Sequence, residues 1–443
     1  MKKLVLVSLA AALAQAASAS AASDVTLRVT PDRDYVYRSG PREVIVQVEV
    51  EARKSDDARR APMNLAVVLD RSGSMEGAKL EKARQAAAMA VDKLGDDDFF
   101  SLVTYDDETD LLIPPERVGG RDHREELKAR IHRIQAGGST ALHAGVVLGA
   151  KQVRRFFDKE RVNRVILLSD GIANVGPSSP SDLARLGREL RGDGIAVSTV
   201  GLGDDYNEDL MTALAEASNA NYYYVKDAEK LPGIFAQELG AARSLLARSI
   251  VIRIDAPEGV RLKEIIGRPD IECHDRVVEI KMPELFGSEK RRFLVRAVAE
   301  GKDADAIEAA AVSLNYATIS GGAAPAQRQA VKIAFTDDEK KADSSIKAEV
   351  ARENSIVQNR LAKEMAVKLA DEGKTKDAVA VLRSQAAKNA AAPAPMQVPG
   401  VKEENQKLEE AASEIDSRGR LEKSSRKAMQ FENYADKYQK SRR

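Results

Sequence analysis

One cysteine, four histidines, no tryptophan and an aromatic fraction of 4% deprive this 443-residue sequence of several kinds of chemistry. With Cys273 alone, an intramolecular disulfide is excluded and stability must come from packed cores. Cys273 reads as a small semi-buried residue, with a free thiol or an intermolecular bridge as the alternatives. Neither charge sign is in excess, since Lys+Arg and Asp+Glu each number 69. A balanced chain offers no electrostatic basis for a nucleic-acid partner. No G-x-S-x-G elbow and no G-x-x-x-x-G-K-[ST] phosphate loop is present. No His/Asp pairing is suggested for any serine, so an enzyme is not expected. Past the N-terminus, no apolar run is long enough to span roughly 30 Å of hydrocarbon.

What remains is a globular composition, 43% hydrophobic and 31% charged, in a chain long enough for two or three domains. Residues 1–22 read as a signal peptide. Lys2 and Lys3 lead a short apolar stretch, followed by small-residue cleavage sites after Ala19 or Ala22. The expectation is an exported protein, periplasmic or secreted, with no transmembrane segment in the mature chain.

Residues 23–60 carry β-strands: Val25, Leu27 and Val29 alternate with polar residues, and so do Val44, Val46, Val48 and Val50. A charged loop, 55–60, follows. Residues 61–242 then alternate strands and helices. The buried strands 65–69 and 164–169, the helices 77–94 and 141–157, and the strand 195–201 imply a mostly parallel sheet covered on both faces. Residues 243–336 return to period two, with Ile250, Ile252 and Ile254 as one example. This second set of strands is expected to pair with the first, making an antiparallel β-sandwich into which the α/β unit is inserted. Residues 337–391 read as a helical hairpin turning at Gly373, 392–400 as a proline-bearing linker, and 401–443 as one long polar helix anchored by Leu408, Ile415, Leu421 and Met429.

The informative string is Asp70-Arg71-Ser72-Gly73-Ser74, directly after the strand 65–69. It sets a carboxylate and two hydroxyls at the carboxyl end of a parallel strand, where open α/β sheets bind ligands. Gly137-Gly138-Ser139-Thr140 opens a later helix with another hydroxyl. Ser169-Asp170-Gly171 ends the next buried strand with a second carboxylate. Oxygen donors of this kind suit Mg²⁺, with Mn²⁺ or Ca²⁺ as alternatives. Two carboxylates do not fully shield a divalent ion, so a remaining coordination position favours an incoming Asp or Glu carboxylate.

On these three loops and the strand order, residues 63–240 resemble a von Willebrand factor type A domain. The resemblance implies a doubly wound, Rossmann-like α/β fold and a metal-ion-dependent adhesion site formed by Asp70, Ser72, Ser74, Thr140 and Asp170. It implies hydroxyl coordination by Ser72, Ser74 and Thr140, and direct or water-mediated coordination by the carboxylates. With its flanking strands and tail, the chain is similar to exported bacterial proteins related to inter-alpha-trypsin inhibitor heavy chains. Such proteins are often labelled calcium-activated chloride channel homologues. The H-E-x-x-H string of channel-associated relatives is absent, and His123, His132, His143 and His274 are scattered.

Other strings have simpler readings. Arg191-Gly192-Asp193 ends a helix, and Asp96-Asp97-Asp98 and Asp204-Asp205 suit turns and caps, with a second cation site as the alternative. His132 and His143 flank the Thr140 loop, either on exposed helix positions or tuning the site. The expected function is protein binding through a divalent cation. The competing expectation is a structural scaffold or accessory subunit that uses the sandwich or tail, with the metal purely structural.

Overall fold

The computed structural model describes residues 24–40, 42–54, 61–299, 305–319, 322–391 and 401–439. The proposed signal segment, the charged loop 55–60 and the linker 392–400 lie outside these. Strand β1 (Val25–Pro31) buries Val25, Leu27 and Val29 and exposes Thr26 and Arg28, as a one-sided strand should. After the short β2 (Tyr35–Tyr37), β3 (Glu43–Ala52) pairs antiparallel with β1.

The chain next builds a six-stranded α/β unit. Its elements are β4 (Met63–Asp70), α1 (Ala78–Lys93), β5 (Phe99–Tyr105), β6 (Thr109–Arg117), α2 (Arg121–His132), α3 (Leu142–Arg155), β7 (Val162–Ser169), α4 (Pro180–Gly192), β8 (Ala196–Leu202), α5 (Glu208–Ala217), β9 (Tyr222–Val225) and α6 (Leu231–Arg243). The strand order is β6-β5-β4-β7-β8-β9. Only the edge strand β6 runs antiparallel. Every residue of β4 and β7 is buried. That explains their unbroken apolar runs, because α1, α2 and α6 cover one face and α3, α4 and α5 the other. The chain leaves β4 for β5 on one side and later returns to β7 on the other, so the carboxyl ends of β4 and β7 open a crevice between them.

Six more strands follow: β10 (Leu245–Asp255), β11 (Val260–Ile265), β12 (Val277–Phe286), β13 (Lys290–Ala299), β14 (Ala306–Thr318) and β15 (Gln327–Thr336). They complete a sandwich of two sheets, ordered β1-β3-β13-β11 and β12-β10-β14-β15-β2, around one apolar core. The α/β unit therefore sits between β3 and β10, inserted in a sandwich built from both sides of it. One pair departs from the expected antiparallel pattern: β2 runs parallel to β15. The outer edge of β1 is closed by side chains. Gln327 Oε1 accepts from Leu27 N at 3.0 Å and Gln329 Oε1 accepts from Val29 N at 2.9 Å.

The helices are α7 (Glu339–Ser344), α8 (Ala348–Asp371), α9 (Thr375–Ala390), α10 (Val401–Arg418) and α11 (Lys423–Tyr438). The α8–α9 turn uses Gly373 at φ +76°. The single helix expected over 401–443 is instead two, broken at Gly419 with φ +70°. The four anchors do pack, but they serve two helices, joining α8 and α9 in a small helical core. Helix α8 covers the outer face of β3. Gln47 and Glu49 are consequently buried on the side that strand alternation alone assigns to solvent.

Helix α11 runs back to the α/β unit. Tyr434 packs edge-on against Tyr222 with ring centroids 5.8 Å apart, and its hydroxyl donates to the carbonyl of Ala220. Lys427 pairs with Glu208 at 2.5 Å, Arg426 with Glu208 and Asp209, and Lys437 with Glu216 at 3.1 Å. Gln439, at the end of α11, brackets the backbone of Arg292 on β13. It accepts from Arg292 N at 2.6 Å and donates to Arg292 O at 2.9 Å. One helix thus ties the inserted unit to the sandwich.

Candidate metal centre

Three loops meet at the crevice. The first begins at Asp70, the last residue of β4, and turns through Ser72 into a short 3₁₀ segment, Gly73–Met75. The second is 137–141, ahead of α3, and the third starts at Asp170, directly after β7. Backbone hydrogen bonds stitch the first two together: Gly73 N donates to Gly138 O at 3.1 Å and Gly137 N to Arg71 O at 2.8 Å. The third is held by Asn174, whose Oδ1 accepts from Thr140 N at 3.0 Å. Gly138 is required where it stands. Its φ is +71°, and a Cβ there would lie 1.9 Å from Asp107 Oδ1. That same oxygen accepts from Ser139 N at 2.5 Å, fixing the loop from outside.

The five residues picked out by the sequence come together. Ser72 Oγ and Ser74 Oγ lie 3.1 Å apart, and Ser74 Oγ donates to Asp170 Oδ1 at 2.7 Å. Thr140 Oγ1 faces the same cluster, since a Cβ built on Gly171 would sit 3.1 Å from it and 3.6 Å from Ser74 Oγ. Asp70 is held by Ser72 N at 2.9 Å and by Ser169 Oγ at 2.8 Å. Asp70, Ser72, Thr140 and Asp170 are buried, while Ser74 is exposed, so the cluster opens to solvent on one side.

Burial, ahead of its hydrogen bonds to Ser72 and Ser169, raises the Asp70 carboxyl to about 6. A second buried carboxylate, Asp170, adds to the rise. Two carboxylates and three hydroxyls form an all-oxygen donor set of the kind that hard divalent cations take. Among the described residues, no group of three or more His, Cys, Asp or Glu side chains gathers as an alternative metal cage.

Several contributors were not singled out from the sequence. Ser169 orients Asp70, Asn174 fixes Thr140, Asp107 braces the second loop, and Lys79 pairs with Asp170 at 2.5 Å. Ser169 adjoins the motif and was open to suspicion. Lys79 is one lysine among several in α1, with nothing in its spacing to mark it. The histidines take no part: His132 is exposed, and His143 is half-buried with its pKa lowered by that burial.

The acidic strings are occupied by local structure. Asp98 accepts from Met63 N at 2.8 Å and Gly95 N at 2.6 Å, Asp96 pairs with Arg124 and Asp97 with Arg117. Asp204 accepts from Tyr224 at 2.6 Å and Asp205 pairs with Lys423 at 2.9 Å. Asp193 of the R-G-D string caps α4 and pairs with Arg154.

Comparison with known proteins identifies the α/β unit and the fold around it. Residues 64–237 match the model of the von Willebrand factor type A domain. An uncharacterised protein of Synechocystis sp. is 32% identical over 192 residues, 43% of this chain and 44% of that protein. Inter-alpha-trypsin inhibitor heavy chain H3 of Homo sapiens is 24% identical over 159 residues, 35% of this chain and 18% of that one. The chain thus spans less than half the length of these curated relatives. Among solved structures, a von Willebrand factor type A protein from Catenulispora acidiphila superposes with a TM-score of 0.70. It is 18% identical, with 94% of this chain and 97% of that chain covered. The ArnB paralog VWA2 from Sulfolobus acidocaldarius gives 0.59 at 17% identity, covering 94% and 99%. These two likenesses extend the shared fold over the sandwich and helices.

Proposed function

Since residues 64–237 belong to the von Willebrand factor type A family, whose domains commonly mediate protein–protein interaction, we propose that this chain is a metal-dependent protein-binding module. Asp70, Ser72, Ser74, Thr140 and Asp170 would hold a divalent cation, with Mg²⁺ as the first choice. When bound, such an ion supplies a coordination position that a partner's Asp or Glu carboxylate fills. The observation that carries this reading is the meeting of three loops on one oxygen cluster that is buried on every side but one.

The surroundings support an interface rather than a reaction centre. Ile172 is 61% exposed and Val175 is also exposed, on the loop that follows Asp170. Apolar side chains beside a cation suit a partner segment in which an acidic residue is flanked by apolar ones. We further propose that the chain acts outside the cytoplasm, on the strength of the signal-like residues 1–22.

The alternative, in which the tail makes the functional contact, has less support. The basic side chains Arg426, Lys427 and Lys437 of α11 are already paired with α5 of the same chain. The test is a calorimetric Mg²⁺ and Mn²⁺ titration of wild type, Asp70→Ala and Asp170→Ala, followed by partner capture in Mg²⁺ and in EDTA. Metal binding lost in both variants, with capture lost alongside it, is the expected result. Capture that survives EDTA and both substitutions overturns the proposal.

A further inference from the structure

Lys79 stands in the first turn of α1, the end of a helix at which a cation is disfavoured by the helix dipole. Its ammonium is compensated by Asp170, with Nζ 2.5 Å from Oδ2, while Ser74 Oγ holds Oδ1 of the same carboxylate at 2.7 Å. The lysine side chain is about one-third exposed and Asp170 is fully buried. On its other flank is the loop after β8. Gly203 bends there at φ +73°, and a Cβ on it would lie 3.8 Å from Nζ. The lysine head is thus seated between a carboxylate of the oxygen cluster and a neighbouring loop.

We propose that Lys79 is a tethered cation that competes with the divalent ion for Asp170 and sets the charge of the loaded site. This rests on the metal-site reading above. Two carboxylates and one ammonium sum to a single negative charge. A divalent cation entering the cluster meets a like charge on one of its own ligands. It either displaces Nζ or binds beside it, and both weaken the metal. The lysine also leaves the loaded cluster one net positive charge instead of none. That favours an anionic partner group over a neutral one. Weak metal binding and strong preference for a carboxylate are then two effects of one side chain.

The test is a Mn²⁺ titration by calorimetry on the full chain, comparing wild type with Lys79→Met, Lys79→Arg and Asp70→Ala. Removing the charge in Lys79→Met is expected to tighten Mn²⁺ binding about tenfold, and Lys79→Arg to stay within about twofold of wild type. The melting temperature of metal-free Lys79→Met should fall, and its rise on adding Mn²⁺ should exceed that of wild type. Equal or weaker Mn²⁺ binding in Lys79→Met overturns the proposal. So does equal tightening in Lys79→Arg, which would make side-chain size rather than charge the cause. Absence of Mn²⁺ binding in wild type, Lys79→Met and Lys79→Arg alike overturns the metal-site reading itself, and this inference with it.

Discussion

Ser169 donates its hydroxyl to Asp70 Oδ2 across 2.8 Å, linking the ends of two neighbouring parallel strands, β7 and β4, inside the protein. That bond and the backbone amide of Ser72 aim the Asp70 carboxylate, yet they do not offset its burial.

The pH dependence follows from the sign of that shift. The Asp70 carboxyl is raised from 3.8 to about 6, chiefly by burial. The folded state therefore holds the proton more tightly than the unfolded state does. Stability from this group is present below about pH 4 and is lost as pH rises through about 6, on the order of 2–3 kcal/mol in all. Denaturation of metal-free wild type and Asp70→Asn between pH 4 and 7 checks this. The stability of wild type relative to Asp70→Asn should fall with rising pH, and excess Mn²⁺ should flatten the difference. A pH-independent difference in metal-free protein counts against it.

Neighbouring glycines give a sharp contrast. A Cβ at Gly138 collides with Asp107, whereas one at Gly137 meets nothing within 4 Å. Gly138→Ala is expected to cost about 2 kcal/mol or more through positive φ and overlap. It should also weaken Mn²⁺ binding at least tenfold by moving Thr140. Gly137→Ala should stay close to wild type in both urea denaturation and metal titration.

At the opposite end of the sheet, Glu238 of α6 accepts from Arg164, from Ser198 Oγ at 2.5 Å, from Asn221 Nδ2 at 2.6 Å and from the Tyr223 hydroxyl at 2.7 Å. Its side chain and that of Arg164 are 1% and 3% exposed. Arg164 holds the carboxyl below the usual range against the opposing effect of burial. Glu238→Ala leaves the buried Arg164 guanidinium with only the Glu284 carboxylate, 4.0 Å away, and is expected to cost about 3–5 kcal/mol. Thermal or urea denaturation measures it, and a loss under 1 kcal/mol would show that the cluster relaxes freely.

A substitution on the rim of the oxygen cluster would separate the proposed metal binding from the proposed partner binding. Ile172 touches neither carboxylate through any hydrogen bond and stands largely in solvent. Ile172→Ala, which adds no charge, should leave protein stability close to wild type, as surface substitutions do, and Mn²⁺ affinity within about twofold. It should nevertheless reduce metal-dependent capture of the partner at least tenfold. Unchanged capture would place the interface elsewhere.

Much of this arrangement was legible because parallel strands covered on both faces carry continuous apolar runs, and residues 65–69 and 165–168 are such runs. Open α/β sheets bind ligands at the carboxyl ends of such strands, which located Asp70 and Asp170 as candidates. Less legible were contacts that depend on distant packing. Gln47 and Glu49 look solvent-facing in β3 until α8 covers them. Strand β2, three residues long, is too short to show the alternation that marked its neighbours. The break at Gly419 was hidden by polar sequence on both sides. Lys79 became meaningful only when the turn of α1 brought it to Asp170.

The split sandwich also dictates an order of assembly. As the chain emerges, the Val-rich β3 can pair at once with β1, but its other edge must wait for β13, which follows the whole α/β unit. The inserted unit has its strands and covering helices in one continuous stretch and can collapse first. Until β13 arrives, β3 offers an open apolar edge to any other strand nearby. Synthesis of this chain therefore has a vulnerable interval, and a slow or truncated product would aggregate through its first strands while its α/β unit was already folded.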